Sequence, residues 1–73
     1  MKAKMKIGNQ VRRLRFEHGE MTQQALAEKV GATRQTVLAI EGAKYAPSLE
    51  LAFRIADAFG MGVEEVFQRE YSE

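Results

Sequence analysis

Apolar side chains recur three and four positions apart along most of the chain, the spacing of amphipathic helices, and glycine, threonine, serine and proline punctuate them into five short segments. Ile7, Val11 and Leu14 line the first, which starts near Gly8 to Asn9 and ends at Gly19. Thr22 opens a second, faced by Leu26, Ala27 and Val30, and Thr33 opens a third, faced by Val37 and Ile40. Each threonine hydroxyl can accept a backbone N–H left unpaired in the first turn, although neither is followed three residues later by the glutamate of a capping box. Ser48 caps a fourth helix running to about Phe59, with Pro47 just ahead of it where a missing N–H costs nothing. Here Leu51, Ile55 and Phe59 fall on one line with Ala52 and Ala56 beside them. Leu49 and Phe53 widen the apolar arc to roughly 200°, against little more than ~100° for a helix that packs on a single core. That excess predicts contact with a second subunit or with the last helix. Gly60 ends the fourth helix, and Val63 to Phe67 forms a short fifth with Val63, Val66 and Phe67 inward. At the two ends Lys4-Met5-Lys6-Ile7 alternates polar and apolar, as Phe67 to Tyr71 does more loosely.

The segment from Gln23 to Gly42 says most about function. Ala27 is small enough for two helix backbones to approach closely, Gly31 supplies a left-handed turn residue, and Leu26, Val30, Val37 and Ile40 make a shared inner face. Two helices fixed in this way present the second at an angle that fits the major groove of DNA. At ~100° per residue its outer face carries Arg34, Gln35, Leu38, Ala39 and Gly42, while Thr36 turns inward with Val37 and Ile40, and Thr33 and Glu41 lie near them. A face that meets only solvent usually carries Glu and Lys. Arg and Gln are the side chains that bond bidentately to guanine and adenine edges, and Leu38 and Ala39 tolerate a thymine methyl. A solvent-facing helix in an ordinary bundle is the plainer alternative, and the tight two-helix geometry favours DNA over it.

Composition narrows the field further. At 73 residues the chain forms one domain, 1–73, with a core small enough for a partner subunit to help. It contains no Cys and a single His18, which excludes disulfides, thiolate metal sites and histidine clusters; no catalytic constellation surrounds His18, and neither an enzyme nor a cofactor is expected. No apolar run approaches the ~18 residues of a membrane span, and MKAKMKIG lacks the apolar stretch of a secretory signal, so the expected location is the cytoplasm. Net charge is only +1, yet it is unevenly spread. Lys2, Lys4, Lys6, Arg12, Arg13 and Arg15 precede Phe16 without an acid, whereas Glu64, Glu65, Glu70 and Glu73 stand against Arg69 alone from Met61 onward. A basic end suits phosphate contact, and an acidic end would keep the far side off a duplex.

Thr22-Gln23, Ala27, Gly31, Arg34-Gln35-Thr36, Ile40-Glu41 and the connection Lys44-Tyr45 to Pro47-Ser48-Leu49 together resemble the lambda- and 434-repressor-like helix-turn-helix proteins, also called the Xre family, over about Val11 to Phe67. The resemblance implies an all-α, compact five-helix domain with its helix-turn-helix at about residues 22–42, to which small members add an antiparallel sheet of the two termini. It also implies double-stranded operator DNA as partner, bound as a two-fold homodimer. The matching glutamate of the family pairs with an arginine of the first helix, which makes Arg15 and Glu41 a structural pair here. Two departures stand out: Gly19-Glu20-Met21 is one residue longer than the commonest pattern, and Gly62 replaces the Ser or Thr that often caps the fifth helix.

On these grounds Thr22 and Gln23, at a helix N-terminus, are expected to meet a phosphate, and Thr33, Arg34, Gln35 and Thr36 to approach bases and backbone. Leu38 and Ala39 would touch thymine methyls, and Lys44 and Tyr45 the phosphates bordering the groove. Leu49, Phe53 and Phe67 are the expected dimer surface, with no metal, membrane or small-molecule effector. The reading is of a transcriptional regulator, a repressor, binding a palindrome with the helix at 33–42 in the major groove. An antitoxin that also binds a toxin protein, and an interaction module without DNA affinity, are the alternatives; the intact Arg34-Gln35-Thr36 tip argues against the last.

Overall fold

The computed structural model describes residues 4–72, so Lys2 and Glu73 of the charge pattern lie outside it. Five helices, α1 (Val11–Glu17), α2 (Gln23–Val30), α3 (Arg34–Glu41), α4 (Leu49–Ala58) and α5 (Val63–Val66), lie between two strands, β1 (Lys4–Asn9) and β2 (Phe67–Ser72). The strands pair antiparallel, Met5 opposite Tyr71 and Asn9 opposite Phe67. Val11, Leu14, Leu26, Ala27, Val30, Val37, Ile40, Ile55, Ala56 and Val66 close the core between the helices, as their spacing predicts.

The first helix begins at Val11, later than expected, because Lys4 to Asn9 finds a hydrogen-bonding partner in β2. Ile7 still packs against the core, but from the strand. Asn9 makes the change of direction: its Oδ1 accepts the Val11 N–H at 3.1 Å while its Nδ2 donates to the Ile40 carbonyl at 2.8 Å. At the other end of the chain α5 stops one residue earlier than expected, and Phe67 takes extended dihedrals (φ −118°, ψ 133°) as the first residue of β2. The residue is only 8% exposed. Phe67 therefore belongs to the core of its own chain, and its expected place on a dimer surface is corrected.

The longer connection after α1 is stitched back onto the helix. Gly19 (φ 79°) and Glu20 (φ 55°) both turn left-handed, which carries the Met21 N–H to the Arg15 carbonyl at 2.9 Å. The cap of α5, left open by Gly62, comes from Glu65, whose carboxylate accepts the Gly62 N–H at 2.8 Å. The uneven charge also looks different in three dimensions. Pairing of β1 with β2 sets Lys6 opposite Glu70, so the basic and acidic ends lie side by side and do not mark opposite poles of the molecule.

On α4 the apolar excess stays uncovered by α5. Leu49 is 71% and Phe53 52% exposed, whereas Ala52, Ile55, Ala56 and Phe59 are buried.

Candidate nucleic-acid interface

The interface is built on the α2–α3 pair. Ala27 is wholly buried where the helices meet, and Gly31 (φ 75°) takes the left-handed turn that lets the Ala32 N–H close on the Ala27 carbonyl at 2.8 Å. A larger side chain at Ala27 would have to displace packed atoms, and at Gly31 the left-handed φ strains any other residue, whose Cβ would also sit 3.1 Å from Nη1 of Arg54. That guanidinium donates to the Val30 carbonyl at 3.3 Å and holds Glu50 at 2.6 Å, so α4 caps the end of α2. Both threonine caps form: Thr22 Oγ1 accepts from Ala25 N–H at 2.9 Å and Thr33 Oγ1 from Thr36 N–H at 3.1 Å.

With its start fixed by Thr33, α3 turns Val37 and Ile40 into the core and Arg34, Gln35 and Leu38 to the outside. Thr36 is half-buried, its hydroxyl 3.0 Å from that of Thr33, and Ala39 is half-buried as well. Leu38, 50% exposed, is the apolar centre of this outer face. An eight-residue helix is about 12 Å long, enough for three to four base pairs, and about as wide as the major groove. Beyond it Ala43 (φ 58°) turns left-handed, with the Ala43 N–H on the Ile40 carbonyl at 2.9 Å and the Lys44 N–H on the Ala39 carbonyl at 3.0 Å, the two bonds of a Schellman motif. The turn sets Lys44 and Tyr45 out from the end of α3, both exposed, and Tyr45 borders a shallow concavity shared with Thr33, Thr36 and Ser48.

Glu41 ends α3 beneath this surface. Arg15 reaches it from α1 in bidentate fashion, Nε to Oε2 at 2.6 Å and Nη2 to Oε1 at 3.0 Å, and the two side chains are only 9% and 8% exposed. The remaining Arg15 nitrogen donates to the Met21 carbonyl at 2.8 Å. Gln23, at the start of α2, donates to Glu41 Oε1 at 3.2 Å. One carboxylate thus joins α1, α2 and α3, and its charge is compensated where a duplex would otherwise be repelled. Asn9 and Arg54 complete the support of the helix pair. No spacing rule singles them out, because both act on backbone carbonyls distant in sequence. Among the described residues no group of three or more His, Asp or Glu is placed to hold a metal ion, and no helix is long and apolar enough to cross a membrane.

The Helix-turn-helix family matches residues 12–66, which contain α2, α3 and the turn that carries Lys44 and Tyr45. The chain belongs to the lambda-repressor-like helix-turn-helix family. Its relatives include the uncharacterised HTH-type transcriptional regulator MJ0272 of Methanocaldococcus jannaschii, 53% identical over 53 residues that make up 73% of this chain and 80% of the relative. Another is the uncharacterised HTH-type transcriptional regulator YgzD of Bacillus subtilis, 52% identical over 59 residues, 81% of this chain and 88% of the relative. These are named as regulators and not as enzymes. A candidate DNA-binding protein from Bacteroides fragilis, known from its crystal structure, superimposes with a TM-score of 0.73 over 85% of this chain and 98% of its own. At 21% identity that likeness speaks for the helix-turn-helix fold alone.

Proposed function

We propose that the chain is a sequence-specific transcriptional regulator, a repressor, that binds a palindromic operator as a homodimer with α3 in the major groove. The observation that carries this reading is the tip of α3: Arg34 and Gln35 stand exposed at the N-terminal end of a helix whose other end is held by the buried Arg15–Glu41 pair. Arg34 and Gln35 read base edges, Thr33 and Thr36 border them, and Leu38 with Ala39 meets thymine methyls. Thr22, Lys44 and Tyr45 hold phosphates, joined by Gln23, which also donates to Glu41. Membership of a family that includes named transcriptional regulators supports the same reading.

The roles separate by experiment. Gln35→Ala should relax base preference at one position in each half-site, whereas Lys44→Ala should weaken all sequences alike and lower the salt slope by about 1, as removal of one phosphate contact does. Selection of preferred sites from a randomised duplex library, followed by titration at several salt concentrations, distinguishes them. Uniform weakening by Gln35→Ala would refute its reading role.

A further inference from the structure

The exposed face of α1 carries chemistry that the α2–α3 pair leaves unused. Arg13 is tied to Glu17 at 2.9 Å and to Gln10 at 3.2 Å, and Arg15 is taken up by Glu41, whereas Arg12 makes no ion pair among the described residues. The guanidinium carbon of Arg12 stands 5.8 Å from the centre of the Phe16 ring one turn along, and that ring is 53% exposed. The guanidinium carbon of Arg15 lies 5.6 Å from the same ring, so Phe16 packs against both arginines. Arg12, Arg13 and Phe16 line a surface groove completed by Asn9, Gln10 and Glu41. Glu41 ends α3 and bonds Gln23 at the start of α2, so the groove opens beside both elements assigned to DNA above.

We propose that Arg12, steadied by Phe16, is a further DNA-backbone contact that takes a phosphate flanking the bases read by α3. This rests on the DNA-binding function proposed above. Charge selects the occupant: the Glu41 carboxylate is compensated by Arg15 and Gln23, and Glu17 by Arg13, which leaves Arg12 as the unopposed charge of the groove. A guanidinium stacked on a ring is partly ordered in advance, and its planar fork matches two phosphate oxygens. Because α1 lies outside the helix pair that enters the groove, its contact falls on the backbone and is blind to sequence.

The test titrates the full chain with a duplex carrying the DNA upstream of its own gene and with a scrambled duplex of equal length, across 50–200 mM salt. Each phosphate contact contributes ~0.9 to the slope of log affinity against log salt, so a fourfold rise in salt should weaken Arg12→Ala about 3.5-fold less than the parent, on both duplexes alike. Arg12→Lys should keep the slope, and Phe16→Ala should lose affinity without losing slope. The thermal unfolding midpoint of Arg12→Ala should match the parent, since the side chain is exposed. Parent-like slopes for Arg12→Ala on both duplexes, alongside a lowered slope for Lys44→Ala, would overturn the proposal and leave the DNA-binding function standing. A change in base preference in Arg12→Ala would overturn it too, and failure of the parent to bind either duplex would remove the function on which it rests.

Discussion

Glu41 is the residue on which the account depends most at the scale of single side chains. A free carboxylate at the end of a DNA-reading helix would repel phosphate, and a buried one without a partner would destabilise the fold. Arg15 meets both needs with two short bonds, and Gln23 adds a third from α2. Arg15→Met should therefore lower stability by about 3 kcal/mol or more, because it strands a buried charge, and the double variant Arg15→Met with Glu41→Leu should recover most of the loss. Urea denaturation of the three proteins decides it; an Arg15→Met chain as stable as the parent would show that the pair does not hold the helices. Arg15 and Glu41 could be matched in advance by resemblance, whereas the part played by Gln23 could not. A helix-opening glutamine can serve as a phosphate ligand, as a donor to a neighbouring acid or as both, and only the approach of α3 to within hydrogen-bonding distance reveals the second.

At the scale of elements, the helices were legible because their apolar positions repeat and their caps are ordinary: Thr22, Thr33 and Ser48 all accept the expected N–H. The boundaries that moved are those where tertiary pairing outweighs local pattern. Ile7 sits at helical spacing from Val11, yet β2 claims it, and Phe67 leaves α5 for the same sheet. At the end of α3 the left-handed position falls on Ala43 and not on the glycine before it. A left-handed alanine is strained by roughly 1–2 kcal/mol, and glycine gives back about half of that advantage as chain entropy, so Ala43→Gly should stabilise the protein by about 0.5–1 kcal/mol. Chemical denaturation measures this directly. A destabilised Ala43→Gly would mean that the Schellman turn between α3 and Lys44 is misassigned.

For the whole molecule, the exposed Leu49 and Phe53 on α4 are the feature a lone subunit does not explain. They fit a homodimer, which would also place two reading helices at half-sites about one turn, ~34 Å, apart. Phe53→Glu should shift sedimentation from dimer to monomer and weaken operator binding while leaving the fold intact; a dimer undisturbed by this change would move the interface elsewhere. The charge distribution is the lesson at this scale: a basic start and an acidic end suggested opposite poles, and the β1–β2 pairing brings them together, which no count along the chain can reveal. Whether this surface recognises a particular DNA sequence is decided by comparing binding to the DNA upstream of its own gene with binding to a scrambled duplex at matched salt. A specific regulator should prefer its own DNA by ~10³-fold or more, with protection related by two-fold symmetry. Equal, steeply salt-dependent binding to both would contradict sequence recognition.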